Sequence, residues 1–295
     1  MFRSIIRIRI AAGILVALML SVQAYGQDKH FLWRVQSKTK SGFILGSIHL
    51  MKEEHYPLSR MIENAFKHSQ SLAVEVNINE MDPGTLQRLA AEAFYPPGDS
   101  LEKHLSPSAV TLVRKQTEAM GMEFEFVKRQ KPWFLATTLP AVALLKAGYD
   151  PRYGVDMHFL KEAKGQKKIL ELESLDSQMK MFSGFPESLQ ELLLLYTLND
   201  LDTAVQEADS LIEAWRSGNT KGLEAIATRA LKEDHRMDMV AEKLLYQRNK
   251  SMADRIEQIL RSEDDCFIVL GAAHLVGEKS VLQFLNEKGF KVSQL

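Results

Sequence analysis

The chain has 295 residues, with 37 Lys and Arg against 38 Asp and Glu and a formal net charge of −1 at pH 7. This balanced charge gives no electrostatic basis for binding nucleic acid or an anionic membrane surface. The length is sufficient for one large domain or two small ones. Cys266 is the single cysteine, so no intramolecular disulfide can form, and its place in an apolar run predicts a buried, inert thiol.

Residues 1–26 have the pattern of a secretory signal peptide. Three arginines precede an apolar stretch from Ile10 to Val22, and small residues around Ala24 offer a cleavage site. The apolar stretch is too short for a comfortable membrane span, although an uncleaved anchor is the alternative interpretation. We predict that residues 27–295 are exported to the periplasm or secreted, with no stable membrane insertion after cleavage. Cleavage removes three arginines and no acidic residue, which leaves 34 basic against 38 acidic residues and a net charge of −4.

The first half of the chain predicts alternating strands and helices. Period-2 apolar patterns predict strands, the first two joined as a hairpin, at 31–35, 43–45, 72–76 and 168–172. Apolar residues at helical spacing, in two cases after a proline at the first helical position, predict helices at 58–67, 107–120 and 132–146.

The second half is mostly helical until the last thirty residues. Helices are predicted at 187–198, 203–216, 221–231, 234–261 and 278–288, and strands at 266–270 and 290–292. No low-complexity linker separates these parts, so we predict one α/β domain over 27–295. Its central mixed sheet is built from strands of both chain ends, and the largely helical middle region packs over the sheet edge that carries the motifs described next. The oligomeric state is left open.

Two related hexapeptides lie near the ends of the chain, Leu-Gly-Ser-Ile-His-Leu at 45–50 and Leu-Gly-Ala-Ala-His-Leu at 270–275. Each follows a predicted strand, so each histidine lies just past a strand end on a turn opened by glycine. Glycine there permits a positive φ or a close backbone approach. Neutral imidazole is a common metal ligand and a general base near pH 7. The matched settings of His49 and His274, 225 residues apart, predict one shared site.

Two glutamates compete to supply a carboxylate to this site. Glu75 follows the first motif unit, and strand alternation places it on the face opposite its valine neighbours. Glu173 lies at the end of the predicted strand 168–172. Two histidines and a carboxylate form the ligand set of hydrolytic zinc sites and of sites for other divalent ions. We favour Glu75 and keep Glu173 as the alternative.

Arg248 falls in register with the apolar residues of the predicted helix 234–261, which places it on the inward face. A buried guanidinium requires an anionic partner. Its partner is either Asp156 or Glu173 in a structural ion pair, or a substrate carboxylate or oxyanion, which its forked donors suit. Asp156, at the start of a predicted helix, is either a cap or a residue that orients a histidine or Arg248.

The paired Gly-x-x-His motifs occur in order with several short landmark segments, namely Val-Glu-Val at 74–76, Lys-Pro-Trp at 131–133, Gly-Val-Asp at 154–156, Leu-Glu at 172–173 with Gln178, and Gln-Arg-Asn at 247–249. From about Phe31 to Val292 this order resembles the TraB/GumN family, whose animal relatives are the Tiki proteases. The common signatures of zincins, serine hydrolases, P-loop proteins and Rossmann folds are absent from the sequence.

The resemblance implies an exported metal-dependent hydrolase, most consistent with a peptidase that acts on a peptide or small-molecule substrate. A divalent ion (Mn²⁺, Co²⁺ or Zn²⁺) would be held by His49, His274 and Glu75, the position onto which the family's essential glutamate maps. The second carboxylate, Glu173, would act as base, and Arg248 would stabilise the developing charge. The family is also distantly similar to erythromycin-esterase-like and haem-binding ChaN-like proteins. The alternative is therefore a non-catalytic exported protein that binds haem, a metal or a signalling peptide.

Overall fold

The structure is a computed structural model that describes residues 29–229, 234–262 and 265–295. The predicted signal peptide at 1–26 lies outside the described residues. Within these ranges six strands form one sheet: β1 (Leu32–Gln36), β2 (Ser41–Ser47), β3 (Ser71–Val74), β4 (Lys168–Glu171), β5 (Cys266–Gly271) and β6 (Lys291–Gln294).

The strand order is β4-β3-β5-β2-β1-β6, so strands from both chain ends share one sheet, as predicted. Strands β2, β3, β4 and β5 run parallel, whereas β1 is antiparallel to both β2 and β6. The register of β2 against β5 pairs Ser47 with Gly271. This pairing places the ends of the two motif-bearing strands side by side, and it confirms the predicted mixed α/β fold.

The described helices are α1 (Arg60–His68), α2 (Pro83–Ala93), α3 (Pro107–Ala119), α4 (Phe124–Val127), α5 (Pro132–Lys146), α6 (Val155–Ala163), α7 (Leu175–Ser183), α8 (Glu187–Arg216), α9 (Thr220–Ala227), α10 (Asp238–Ala241), α11 (Gln247–Ser262) and α12 (Val281–Glu287). The predicted break at 199–202 is wrong, because α8 continues through it. Leu194, Leu198 and Leu201 are buried on one face of α8, and this packing outweighs the weak helix propensity of the Asn-Asp pair at 199–200.

The predicted helix over 234–261 contains a π-helical segment, Glu242–Tyr246, between α10 and α11. A π turn takes one more residue per hydrogen-bonded ring than an α turn, and such turns are frequent at functional sites. Arg248 is the second residue of α11 and therefore follows the π segment directly.

The main apolar core lies around the sheet. All six residues of β5 are buried, including Cys266, as predicted. Phe159 of α6 packs against Phe66 of α1 and Phe267 of β5 with tilted rings whose centroids lie 4.8 and 4.9 Å away. A second core lies among α3, α5 and α8. None of the helices in the described ranges is both long and apolar enough to cross a bilayer.

Candidate functional site

The four histidine and glutamate candidates follow the carboxyl ends of the four parallel strands. His49 lies two residues past β2, Glu75 one past β3, Glu173 two past β4 and His274 three past β5. Parallel strands end at the same sheet edge, which is where α/β proteins place their ligand sites. The strand β3 ends at Val74, so Glu75 lies at the strand terminus rather than within the strand as predicted.

Gly271 marks the space that the candidates share. A Cβ atom built on Gly271 would lie 3.2 Å from Glu75 Oε1, 3.4 Å from His274 Cδ2 and 3.7 Å from His49 Nε2. The structure therefore brings the two histidines and Glu75 around one small space. Gly271 has an ordinary φ of −52°, so backbone conformation does not require glycine here. Glycine is required because any side chain at this position would enter the shared space.

His49 is oriented by Asp156. Its Nδ1 lies 2.9 Å from Asp156 Oδ1, and Ser47 Oγ donates to the same carboxylate oxygen at 2.8 Å. Gly154 allows this contact, since a Cβ there would lie 2.4 Å from the His49 carbonyl oxygen. Of the two partners considered for Asp156, a histidine and Arg248, the structure shows the histidine. A carboxylate on Nδ1 fixes the ring so that Nε2 faces the shared space.

The surroundings of His49 favour its protonated form. Burial opposes the charge, but the hydrogen bond and the charge of Asp156, with that of Glu75, raise the pKa of His49 to about 9. The side chain is 58% exposed, so solvent screening weakens these interactions. The upward shift of the His49 pKa follows from the two adjacent carboxylates.

The pKa of His274 is shifted in the opposite direction, and Asn249 sets its tautomer. Asn249 Nδ2 donates to the Lys279 carbonyl at 2.7 Å, which turns its Oδ1 towards His274 Nδ1 at 2.5 Å. Nδ1 is therefore the donor, and the Nε2 lone pair faces Glu75 Oε1 at 4.0 Å. Burial, with the nearby Arg248 guanidinium, lowers the pKa of His274 to about 4 against the opposing charge of Glu75. Sequence reasoning gives Asn249 no role, although its place beside Arg248 is the signal that points to it.

Glu75 is held as a carboxylate. The Gly271 N–H donates to its Oε1 at 2.6 Å, and Arg248 Nη2 donates to its Oε2 at 2.7 Å. Burial favours the neutral acid, but His274, Arg248, His49 and the Gly271 N–H outweigh it and lower the pKa of Glu75 to about 2. The carboxylate therefore stays ionised at every pH at which the protein would be expected to work.

Arg248 is half-buried, in agreement with the inward face that its register predicts, and it joins both glutamates. Its Nε and Nη2 donate to Glu173 at 3.0 and 2.7 Å, and the side chains of Arg248, Glu75 and Glu173 are 17, 14 and 9% exposed. Gln178 donates to Glu173 at 2.9 Å. Glu75 thus lies beside the imidazoles, while Glu173 lies on the Arg248 side of Glu75.

The chemistry of this donor set fits a divalent ion. His49 Nε2, His274 Nε2 and Glu75 Oε1 converge on one space, and each ring is held through its other nitrogen, as in many metal sites. Yet no group of three or more such side chains in the described part of the chain is arranged to hold an ion as it stands. The 4.0 Å between His274 and Glu75 exceeds the roughly 3.4 Å expected between ligands of a tetrahedral ion with bonds of about 2.0–2.1 Å. Binding of an ion therefore requires these ligand atoms to move closer together.

Two cavities adjoin His49. One, of about 410 Å³, lies between the two motif loops and the helices α8 and α9. The other, of about 540 Å³, lies on the side of Glu75, Asp156 and Gln178. Part of the helical middle region therefore covers the motif edge of the sheet, as predicted, and leaves open space on both sides of His49.

Comparison with known proteins identifies the family of the chain. The model of the TraB/PrgY/gumN family matches residues 31–294. The chain is 24% identical to YbaP of Escherichia coli over 88% of this chain and 95% of that protein. It is 21% identical to a metalloprotease TIKI homolog of Nematostella vectensis and 20% to metalloprotease TIKI1 of Danio rerio, over 89% of this chain but 66% and 62% of those proteins. No solved structure gives a significant match. The chain belongs to the TraB/PrgY/gumN family.

Proposed function

We propose that this protein is an exported metal-dependent hydrolase that cleaves peptide bonds. The observation that carries the proposal is the convergence of His49 Nε2, His274 Nε2 and Glu75 Oε1 on one space between two cavities. The similarity to proteins named metalloprotease TIKI supports the peptidase class. Export rests on the pattern of residues 1–26 and predicts a mature N-terminus at Tyr25 or Gln27; N-terminal sequencing that finds Met1 in the exported fraction would contradict it.

In this proposal His49, His274 and Glu75 hold the ion. When bound, a divalent ion such as Zn²⁺, Mn²⁺ or Co²⁺ supplies Lewis-acid polarisation of the scissile carbonyl and lowers the pKa of a water molecule. His49 must release its proton before Nε2 can serve as a ligand, so we expect metal affinity to fall as the pH drops below the His49 pKa of about 9.

The remaining residues position charge and accept the proton. Asp156 and Asn249 hold the two rings with Nε2 facing the shared space. Glu173 is the proton acceptor in this proposal, and Gln178 joins it to Glu75 through contacts of 2.9 and 3.5 Å. Arg248 donates to both carboxylates and supplies the positive charge that stabilises the negative charge developing on the substrate oxygen.

The test uses blocked synthetic peptides incubated with the mature protein and each ion, with products identified by mass spectrometry. We expect cleavage that depends on the ion and that falls by at least about 10²-fold in Glu75→Gln and in the His49→Ala/His274→Ala variant. His235→Ala is the matched control, since this exposed histidine lies away from the site. Cleavage that persists in the double variant would contradict the proposal, and binding without cleavage would favour the alternative of a binding protein.

A further inference from the structure

The cavity between the motif loops and helices α8 and α9 has a composition unlike the polar site beside it. Its lining comprises Ser47, His49, Gly271 and His274 on one wall, and apolar side chains over most of the others. The apolar walls are formed by Leu50, Leu144, Leu211, Ile212, Leu223 and Ile226. A ligand in this cavity would therefore contact both histidines, while most of its surface would contact apolar side chains.

The position of the cavity defines what can fill it. Ser47, His49 and Leu50 also line the second cavity, which lies on the Glu75 side. Open space thus continues past His49 in two directions, so a substrate can extend to both sides of the reacting bond. An extended chain cut at an internal bond fits this shape, whereas a small molecule would occupy one side.

Three charged residues of the apolar cavity bear on which side chains it can bind. Asp200 and Glu207 lie there with Arg229, which donates to Asp200 at 2.8 Å and lies 3.3 Å from Glu207. These three side chains pair with one another, so this part of the lining offers no isolated charge to an acidic or a basic side chain.

We infer that the cavity between the motif loops and α8 and α9 is a subsite for a bulky apolar side chain of a peptide, adjacent to the bond that is cleaved. This inference rests on the proposed function and names its substrate class. The volume of about 410 Å³ lies within the usual range of roughly 300–1,000 Å³ for ligand pockets. It accommodates an aromatic or large aliphatic side chain together with part of the adjoining main chain.

The test is to fill the cavity. Ala204 lines it from α8 and is half-buried, so Ala204→Phe can place its ring in the cavity, and Ala204→Val is a smaller step. Gln206→Phe, exposed on the same helix, is the matched control. The probe is a synthetic decapeptide library with acetylated and amidated ends and one varied position, and the products are read by mass spectrometry.

We expect wild type and Gln206→Phe to cleave beside Phe, Tyr, Leu or Met roughly 10- to 100-fold faster than beside Ala or Gly, the range expected from burial of a large apolar side chain. Ala204→Phe, whose fold is checked by circular dichroism, should lose this preference, and Ala204→Val should fall between the two. A wild type that cleaves without preference or prefers charged residues, or an Ala204→Phe variant with unchanged preference, would overturn the subsite.

Failure of the proposed function is distinguishable from failure of the subsite. If wild type cleaves no peptide, the same library is passed over immobilised wild type and Ala204→Phe protein, and retention is measured. Greater retention of apolar peptides on wild type than on the variant supports the subsite without hydrolysis. Equal retention on both proteins would overturn it.

Discussion

Two histidines at the same position of one motif have pKa values shifted in opposite directions. Asp156 faces Nδ1 of His49, whereas the neutral amide of Asn249 faces Nδ1 of His274. A carboxylate stabilises an imidazolium, while an amide oxygen fixes a tautomer and adds no charge. The surroundings of each ring therefore decide its pKa: the charge of Asp156 raises that of His49, whereas burial and the Arg248 guanidinium lower that of His274. These surroundings cannot be inferred from the repeated hexapeptides.

Asp156→Asn should lower the pKa of His49 from about 9 towards its ordinary value. The substitution keeps a hydrogen-bond acceptor but removes the charge that favours the imidazolium. Titration of the imidazole carbon-bound protons by NMR measures the shift, and His274 in the same spectrum is the internal reference. An unchanged His49 pKa would mean that Asp156 does not set its charge.

His274 should make the protein less stable as the pH falls from 6.5 to 4. Its pKa is lowered to about 4 in the folded chain, so between these values the unfolded chain binds a proton that the folded chain does not, and the free energy of unfolding decreases. The full effect is on the order of 3 kcal/mol. Glu75, with its pKa lowered to about 2, adds a separate loss between about pH 4.5 and 2.

Urea unfolding at pH 6.5 and 4.5 measures this effect. His274→Asn retains a donor for Asn249 but no titrating group, so it should lose less stability than wild type over this interval. His235→Asn, at an exposed site, should behave like wild type. Equal losses in wild type and His274→Asn would show that His274 is not the source.

Arg248→Met should lower the free energy of unfolding by up to roughly 3–5 kcal/mol, because it leaves the half-buried Glu75 and Glu173 without their counter-charge. Arg248→Lys keeps the charge but loses the forked contact, so its loss should be smaller. Adding Glu173→Gln to Arg248→Met removes one of the two orphaned charges and should restore part of the stability. If this double variant is less stable than Arg248→Met alone, the ion-pair explanation is wrong.

At the scale of elements, the strands and most helices were predictable from apolar periodicity, since each buries one face. The continuity of helix α8 through Asn199 and Asp200 was not predictable, because it depends on leucines packed against α3 and α5. The π segment Glu242–Tyr246 was also beyond prediction. The apolar periodicity of 234–261 predicts a regular α-helix and carries no signal for the extra residue of a π turn.

The turn before α6 holds the His49 loop through a close contact that only glycine allows. Gly154→Ala would place its Cβ 2.4 Å from the His49 carbonyl oxygen, so it should cost roughly 1–3 kcal/mol of stability, as overpacking does. Gly84→Ala is the control, since its Cβ would meet only the flexible side chains of Asp82 and Arg88. Urea unfolding measures both variants, and equal effects would contradict the close-contact explanation.

At the scale of the whole molecule, the sheet order explains how the two motifs meet. Strand β5 lies between β2 and β3, so the last motif of the chain is placed next to the first one and next to Glu75. The repeated Gly-x-x-His unit predicts that the histidines meet, but it does not contain the strand order. For the same reason, the sequence alone left the choice between Glu75 and Glu173 open, whereas the order of β3 and β4 places Glu75 nearer the imidazoles.

The central claim is that His49, His274 and Glu75 together bind one divalent ion. The most direct measurement is the number of Zn²⁺, Mn²⁺ or Co²⁺ ions bound per chain at equilibrium, determined by elemental analysis after dialysis. We predict one ion per chain in the wild type and in His235→Ala, and none in His49→Ala/His274→Ala, whose fold is checked by circular dichroism. A folded double variant that still binds one ion per chain, or a wild type that binds none, would contradict the account.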